Sequence, residues 1–241
     1  MSDRALYQIT GADRLSFMQG LVSNDVKSGL VYTALLTPQG KYLADFFLWV
    51  REDDIILDID VAIAPATVQR LTMYKLRADV QIATSDLNVQ RGIGAKPDAA
   101  YDDPRDASLG WRHYGADIGK DEDVDWTGLH VAACVPQTGL ELTPDTYILE
   151  AGFERIAGVD FRKGCYVGQE VTARMKHKTE LRKGLAQVDV AGAAPVGTPI
   201  MAGGKEAGVL YSQAGGKGIA YLRFDRAKGV MQAGDAEVTY A

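Results

Sequence analysis

The sequence has little cysteine. Cys134 and Cys165 are the only two in 241 residues, too few for a disulfide framework, so a reduced setting is expected. Long apolar runs are missing too. Residues 46–50 and 55–57 are among the longest, far short of the ~20 that span a bilayer, so no membrane partner is expected. Positive charge is not in excess: 26 Lys and Arg face 32 Asp and Glu, a net of −6. A general nucleic-acid binder has the opposite balance. The first residues are polar with no apolar segment behind them, so no targeting sequence is read and a cytoplasmic location is expected. The three histidines are scattered, without HxxxH or CxxC spacing, and no metal site is expected.

What is present is ordinary for a folded protein: 46 % hydrophobic and 24 % charged residues, which excludes disordered, collagen-like and coiled-coil chains. The length suits one large domain or two smaller ones and permits a monomer. Residues 4–9 read as a strand and 11–22 as a helix, with Leu15, Met18 and Val22 on one face. Residues 31–36 and 42–50 read as a hairpin around Thr37-Pro38-Gln39-Gly40. A strand at 55–59, a helix at 64–78 and strands at 80–83 and 89–93 follow. This order predicts an α+β fold with helices on one face of a sheet. Residues 96–127 read as surface loop with brief structure, and 126–134 as a weak helix ending before Pro136. From residue 185 onward, short β-rich runs alternate with glycine turns, as in a small antiparallel sheet or barrel. A boundary is placed near 182, giving regions 1–181, with room for two subdomains, and 182–241. Gly215-Gly216-Lys217-Gly218 lacks the remaining residues of a phosphate loop and reads as a turn.

The net charge conceals two opposed blocks. Residues 101–125 hold eight acids and three Lys or Arg; residues 162–183 hold seven Lys or Arg and two Glu. The basic block reads either as a site for an anionic ligand or partner, or as a solvated face, or as a partner for the acidic loop. It contains Lys163-Gly164-Cys165-Tyr166-Val167-Gly168-Gln169-Glu170, in which two glycines bracket a cysteine. Glycine permits positive φ and close backbone approach, so this is expected to be a shaped loop entering a short helix. Lys163 and Arg162 would favour a thiolate at Cys165 if their charges lie beside it. A structural cysteine in a tight turn is the alternative. Asp45 and Glu150 each stand among apolar neighbours. Each either occupies the polar side of its strand or, if buried, needs a partner such as a ligand's N–H groups.

The stretch from Lys163 to Glu170 resembles the signature of the YgfZ-type folate-binding proteins. These are relatives of the glycine-cleavage T-protein, an aminomethyltransferase, and of mitochondrial iron–sulfur assembly factors. The resemblance extends through Met18-Gln19-Gly20, the hairpin from Leu36 to Asp45, Tyr74 to Val80, Asp103-Pro104-Arg105 and Leu109 to Arg112. It implies an aminomethyltransferase-like folate-binding region with mixed or antiparallel sheets, then a small β-barrel. Tetrahydrofolate is the implied cofactor, and iron–sulfur client or assembly proteins are the implied partners. By the same resemblance Tyr32, Asp45, Trp49 and Glu150 fall on folate-binding positions, and Asp45 on the one implicated in chemistry. Cys165 would be a functional thiol, carried by a signature loop of Lys163, Gly164, Tyr166, Gly168, Gln169 and Glu170. Ala44 stands where the T-protein has the first of two acids, and Ile148-Leu149 replaces a usual Pro-His. His130 and Cys134 replace a usual Arg and Gly. The function implied is an accessory factor for iron–sulfur proteins. A folate-dependent one-carbon transferase and a non-enzymatic docking module are the alternatives.

Overall fold

Apolar, β-rich runs within residues 4–60 build strands, and the computed structural model, which describes residues 3–177 and 181–240, shows where each face goes. Arg4–Thr10 (β1), the helix Arg14–Gln19 (α1), Gly29–Leu36 (β2), Tyr42–Val50 (β3) and Ile55–Asp60 (β4) come first. The helix Ala64–Tyr74 (α2) and Gln81–Thr84 (β5) follow. These strands form one antiparallel sheet in the order β2-β3-β4-β1-β5. Period two divides β3 between the two faces. Ala44, Phe46, Leu48 and Val50 join the core with Met18 of α1 and Leu71 of α2. Asp45, Phe47 and Trp49 take the other face. The register sets Phe47 opposite Tyr32 on β2 and Asp58 on β4.

Both helices are shorter than their apolar spacing implies. α1 lacks a side-chain cap and closes at Gly20. α2 stops at Tyr74, ahead of a turn in which the Ala78 N–H donates to the Lys75 carbonyl at 2.7 Å. The stretch at 96–127 holds brief structure, but part of it is buried rather than surface. Asn88–Gly92 (β6), Tyr101–Asp102 (β7) and Trp111–Gly115 (β8) form a sheet in the order β6-β8-β7. Asp103 and Arg112 inside that stretch are buried, because each has an opposite charge to pair with. Its acids also pin backbone: Glu122 accepts from the N–H groups of Ile93 and Gly94, and Asp121 from that of Arg91.

Trp126–Ala133 (α3) and Gln169–His177 (α4) precede the last six strands: Lys183–Ala191 (β9), Thr198–Ala202 (β10), Lys205–Ala214 (β11), Lys217–Arg223 (β12), Val230–Ala233 (β13) and Ala236–Thr239 (β14). They close into a barrel in the order β10-β11-β12-β9-β14-β13. Its interior holds Val188, Ile200, Leu210, Leu222, Met231 and Val238. The chain divides into two compact units, residues 1–123 with 154–171, and residues 124–153 with 172–241. The segment carrying α3 and Glu150 is thus grouped with the barrel, a division that no single cut near 182 reproduces. No helix among the described residues is long and apolar enough to cross a membrane.

Candidate functional site

In the first unit, the face of the sheet opposite the core joins an apolar cluster around Leu6, Ile56, Val89 and Tyr114 to a set of buried, partnered carboxylates. Asp45 is buried and accepts from two tyrosines, the Tyr32 hydroxyl at 2.9 Å and the Tyr42 hydroxyl at 2.6 Å. Burial, then the Asp45 charge, holds the Tyr32 phenol well above its ordinary value. The Arg105 guanidinium lies 5.4 Å from the centre of the Tyr32 ring and 4.8 Å from that of Phe47. Arg105 in turn makes two parallel bonds to Asp103, at 2.9 and 2.8 Å. Asp58 accepts from Arg4 at 2.7 Å, from Arg112 at 2.5 Å and from Tyr114 at 2.8 Å. Burial alone would raise the Asp58 carboxyl; Arg112 and Arg4 outweigh it and hold the group below the usual carboxylate range. Trp49 shares this face, but its ring stacks on Tyr114 at 5.3 Å and tilts against Tyr101 at 5.8 Å. The Arg51 guanidinium lies 4.6 Å from its centre. Trp49 is half-buried, with its ring engaged by Tyr114, Tyr101 and Arg51.

Sequence reading singled out Tyr32, Asp45 and Trp49 and missed Arg4, Tyr42, Asp58 and Tyr114. Asp58 carried a usable signal, since it interrupts the apolar run Ile55-Ile56-Leu57-Asp58-Ile59 as Asp45 interrupts its own.

The signature loop is held at two points with an exposed cysteine between them. The Lys163 side chain is buried, and its ammonium donates to the carbonyls of Gln19 at 2.7 Å and Val22 at 2.5 Å. It also lies 4.8 Å from the centre of the buried Tyr166 ring. Burial pushes Lys163 down to about 8, against the opposing pull of Asp25 and Asp160. The second anchor is Gly168, at φ +85, where an added Cβ would stand 2.6 Å from the Thr37 carbonyl oxygen and 3.2 Å from the Gly40 Cα. Gly168 is thus required by its backbone and by its approach to the hairpin turn between β2 and β3. Gly164 needs neither property: its φ is not positive, and nothing lies within 4 Å of a Cβ placed there. Cys165 is exposed. Lys163, expected to favour its thiolate, directs its ammonium to backbone carbonyls, while the exposed Arg162 pairs with Asp160 at 3.7 Å. Gln169 and Glu170 open α4. Residues 178–180 of the basic block lie outside the described residues.

In the second unit, Glu150 is buried beside the barrel strands β9 and β12. Its Oε2 accepts from the Tyr221 hydroxyl at 2.7 Å, and its Oε1 lies 3.8 Å from the Lys183 ammonium. Burial, then the bond to Glu150, raises the Tyr221 phenol. The Glu150 carbonyl receives the Leu185 N–H at 2.6 Å, and Gly184 leaves it room, since a Cβ there would meet this oxygen at 2.8 Å. Cys134, the other thiol, caps α3 in the left-handed region at φ +50. This is the backbone that glycine takes at helix ends. No group of three or more His, Cys, Asp or Glu among the described residues is placed to hold a metal ion.

Known proteins can be set beside this geometry. Residues 182–241 match the family described as CAF17, C-terminal beta-barrel domain. The mitochondrial iron–sulfur cluster assembly factor IBA57 homolog of Mycosarcoma maydis is 31 % identical over 216 residues, covering 75 % of this chain and 54 % of its own length. The mitochondrial IBA57 of Mus musculus is 27 % identical, covering 95 % of this chain and 78 % of its own. The chain thus spans little more than half of the first relative. The crystal structure of glycine cleavage system aminomethyltransferase T from Bartonella henselae superposes over 100 % of this chain and 83 % of that one, with a TM-score of 0.77 at 13 % identity. At that identity the likeness concerns fold alone. These relatives are mitochondrial by name, and this overturns the cytoplasmic location expected from the sequence. The chain is thus similar in sequence to the IBA57 iron–sulfur cluster assembly factors, and its aminomethyltransferase-like fold ends in a barrel that matches the CAF17 type.

Proposed function

We propose that this chain serves iron–sulfur cluster assembly or repair in client enzymes, binding a tetrahydrofolate and working through the Cys165 thiol. The observation that carries the reading is the signature loop: Lys163 and Gly168 fix its two ends, and Cys165 is left exposed between them. A sulfur held this way can meet a cluster or a client protein without any rearrangement of the fold. The names of the relatives supply the class of partner.

The donor set fits a folate in part. Glu150 suits an aminopyrimidine edge, because a carboxylate accepts two parallel N–H bonds. Its Oε2 already receives Tyr221, whereas Oε1 has only the longer approach of Lys183 and keeps acceptor capacity. Asp45 accepts one tyrosine hydroxyl at each oxygen and keeps further acceptor capacity there. The accessory role is preferred to an aminomethyltransferase because the named relatives are iron–sulfur cluster assembly factors.

Calorimetry with tetrahydrofolate on the reduced protein tests this. Losing a charge-assisted pair costs about 1.5–3 kcal/mol, so Glu150→Gln is expected to weaken binding roughly ten- to a hundredfold, with Cys165→Ser unchanged. Cys165→Ser is expected to fail in restoring an iron–sulfur enzyme in cells lacking the protein. Equal loss of folate in both variants, or full rescue by Cys165→Ser, would refute the reading.

A further inference from the structure

Leu76 is 87 % exposed, the most exposed large apolar side chain among the described residues, and it stands in a backbone seat that does not suit it. It follows α2 as the second residue of the turn that the Ala78 N–H closes on the Lys75 carbonyl, with φ +44. Turn positions with positive φ favour Gly, Asn and Asp, and a left-handed backbone crowds any other side chain. Leucine here has both a strained backbone and an apolar surface left in water. Met73, three residues earlier, is 59 % exposed.

The surroundings are basic. Residues 70–79 contain Arg70, Lys75 and Arg77 against the single acid Asp79, in a chain whose net charge is −6. The Asp79 carboxylate accepts from the Ala12 N–H and the Gln81 amide and is bound to the fold. Lys75 donates to the Val80 carbonyl, and Arg70 approaches the Tyr74 hydroxyl at 3.4 Å. Arg77 is exposed and makes no ion pair among the described residues.

We propose that Leu76 and Met73, flanked by Arg70 and Arg77, form a docking knob for a partner protein that offers an apolar pocket rimmed by Asp and Glu. Charge complementarity selects an acidic surface. A bilayer fits less well, because two apolar side chains bury too little for stable anchoring and the net charge of the chain opposes anionic lipid. This surface is independent of the folate and thiol reading above.

The test begins with a benzoyl-phenylalanine photo-cross-linker at position 73 of the full chain, in its natural host. The protein joined to it is then purified and its affinity measured. Leu76→Gly is expected to melt at or above the wild-type temperature, since glycine suits the seat, while weakening this binding at least tenfold. Arg77→Glu is expected to weaken it similarly, with recovery when an acid of the partner's rim is reversed to Arg. The proposal is overturned if no adduct forms, if Leu76→Gly binds as tightly as wild type, or if charge reversal in the rim restores nothing. It is also overturned if the adduct is a second copy of this chain, or if Leu76 is needed instead for sedimentation with phosphatidylglycerol vesicles.

Discussion

The two glycines of the signature loop look equivalent in sequence and are opposite in structure, which makes a paired substitution informative. Gly168→Ala places a Cβ at φ +85, a strain of about 1–2 kcal/mol. The new atom stands 2.6 Å from the Thr37 carbonyl oxygen and 2.9 Å from the Leu36 Cβ, neither at the end of a flexible side chain. Overpacking of this kind costs about 1–3 kcal/mol, and reduced freedom of the unfolded chain returns about 0.4–1 kcal/mol. The net loss is about 2–4 kcal/mol, a melting shift on the order of 5–15 °C for a chain of this size. Gly164→Ala meets nothing within 4 Å and has no positive φ to satisfy, so it stays within about 0.5 kcal/mol of wild type. Calorimetric melting reads both. Maleimide labelling of Cys165 gives a second readout, since a loop lifted from the hairpin alters its rate in Gly168→Ala alone. Equal melting shifts in the two variants would refute the close-approach argument. A Gly164→Ala protein that melts normally but fails to support iron–sulfur enzyme activity would mean that the bare backbone beside Cys165 is needed for the approach of a ligand or partner.

Two further outcomes follow from the buried groups. Asp58→Asn removes the nearest counter-charge of Arg4 and Arg112, leaving Arg112 only the longer approach of Asp103 at 3.7 Å, and is expected to cost about 3–5 kcal/mol in urea unfolding. The fold holds the Asp58 carboxyl below its unfolded value, so its contribution is complete above about pH 4 and is lost as pH falls through the folded value. The Asn variant should therefore lose stability less steeply in acid, and an acid branch parallel to that of wild type would contradict the assignment. Cys134→Gly relieves the left-handed cap at φ +50 and is expected to stabilise by about 0.5–1 kcal/mol. Cys134→Ala keeps the Cβ and should not stabilise; equal gains in both would point to the thiol rather than the backbone.

The sheet and the barrel were legible because their signals are local. Short apolar, β-rich runs placed β2, β3 and β4, and the Pro-x-Gly turn placed the β2–β3 hairpin. The burial within 96–127 was not legible because a strand such as Trp111–Gly115 carries Arg112 inward, and inward-facing charge mimics loop composition. Only its partner makes such a residue a core residue, and Asp58 is 54 positions away in sequence. The signature loop was readable as a shaped loop, but the division of labour within it was not. Gly168 owes its identity to Thr37 and Gly40, Lys163 to the carbonyls of Gln19 and Val22, and no local pattern announces those distances.

Asp45 and Glu150 show the same limit with a functional consequence. In sequence each is one acid among apolar neighbours. In the fold, Asp45 belongs to a buried face where three carboxylates, Asp45, Asp58 and Asp103, are matched by the guanidinium groups of Arg4, Arg105 and Arg112. On that face two tyrosine hydroxyls, one at each oxygen, hold the Asp45 carboxylate in place. Glu150 has one oxygen bonded to Tyr221 and the other facing a lysine half exposed to solvent, which can move aside at little cost. Of the two acids, Glu150 is the one with a carboxylate oxygen that makes no hydrogen bond among the described residues.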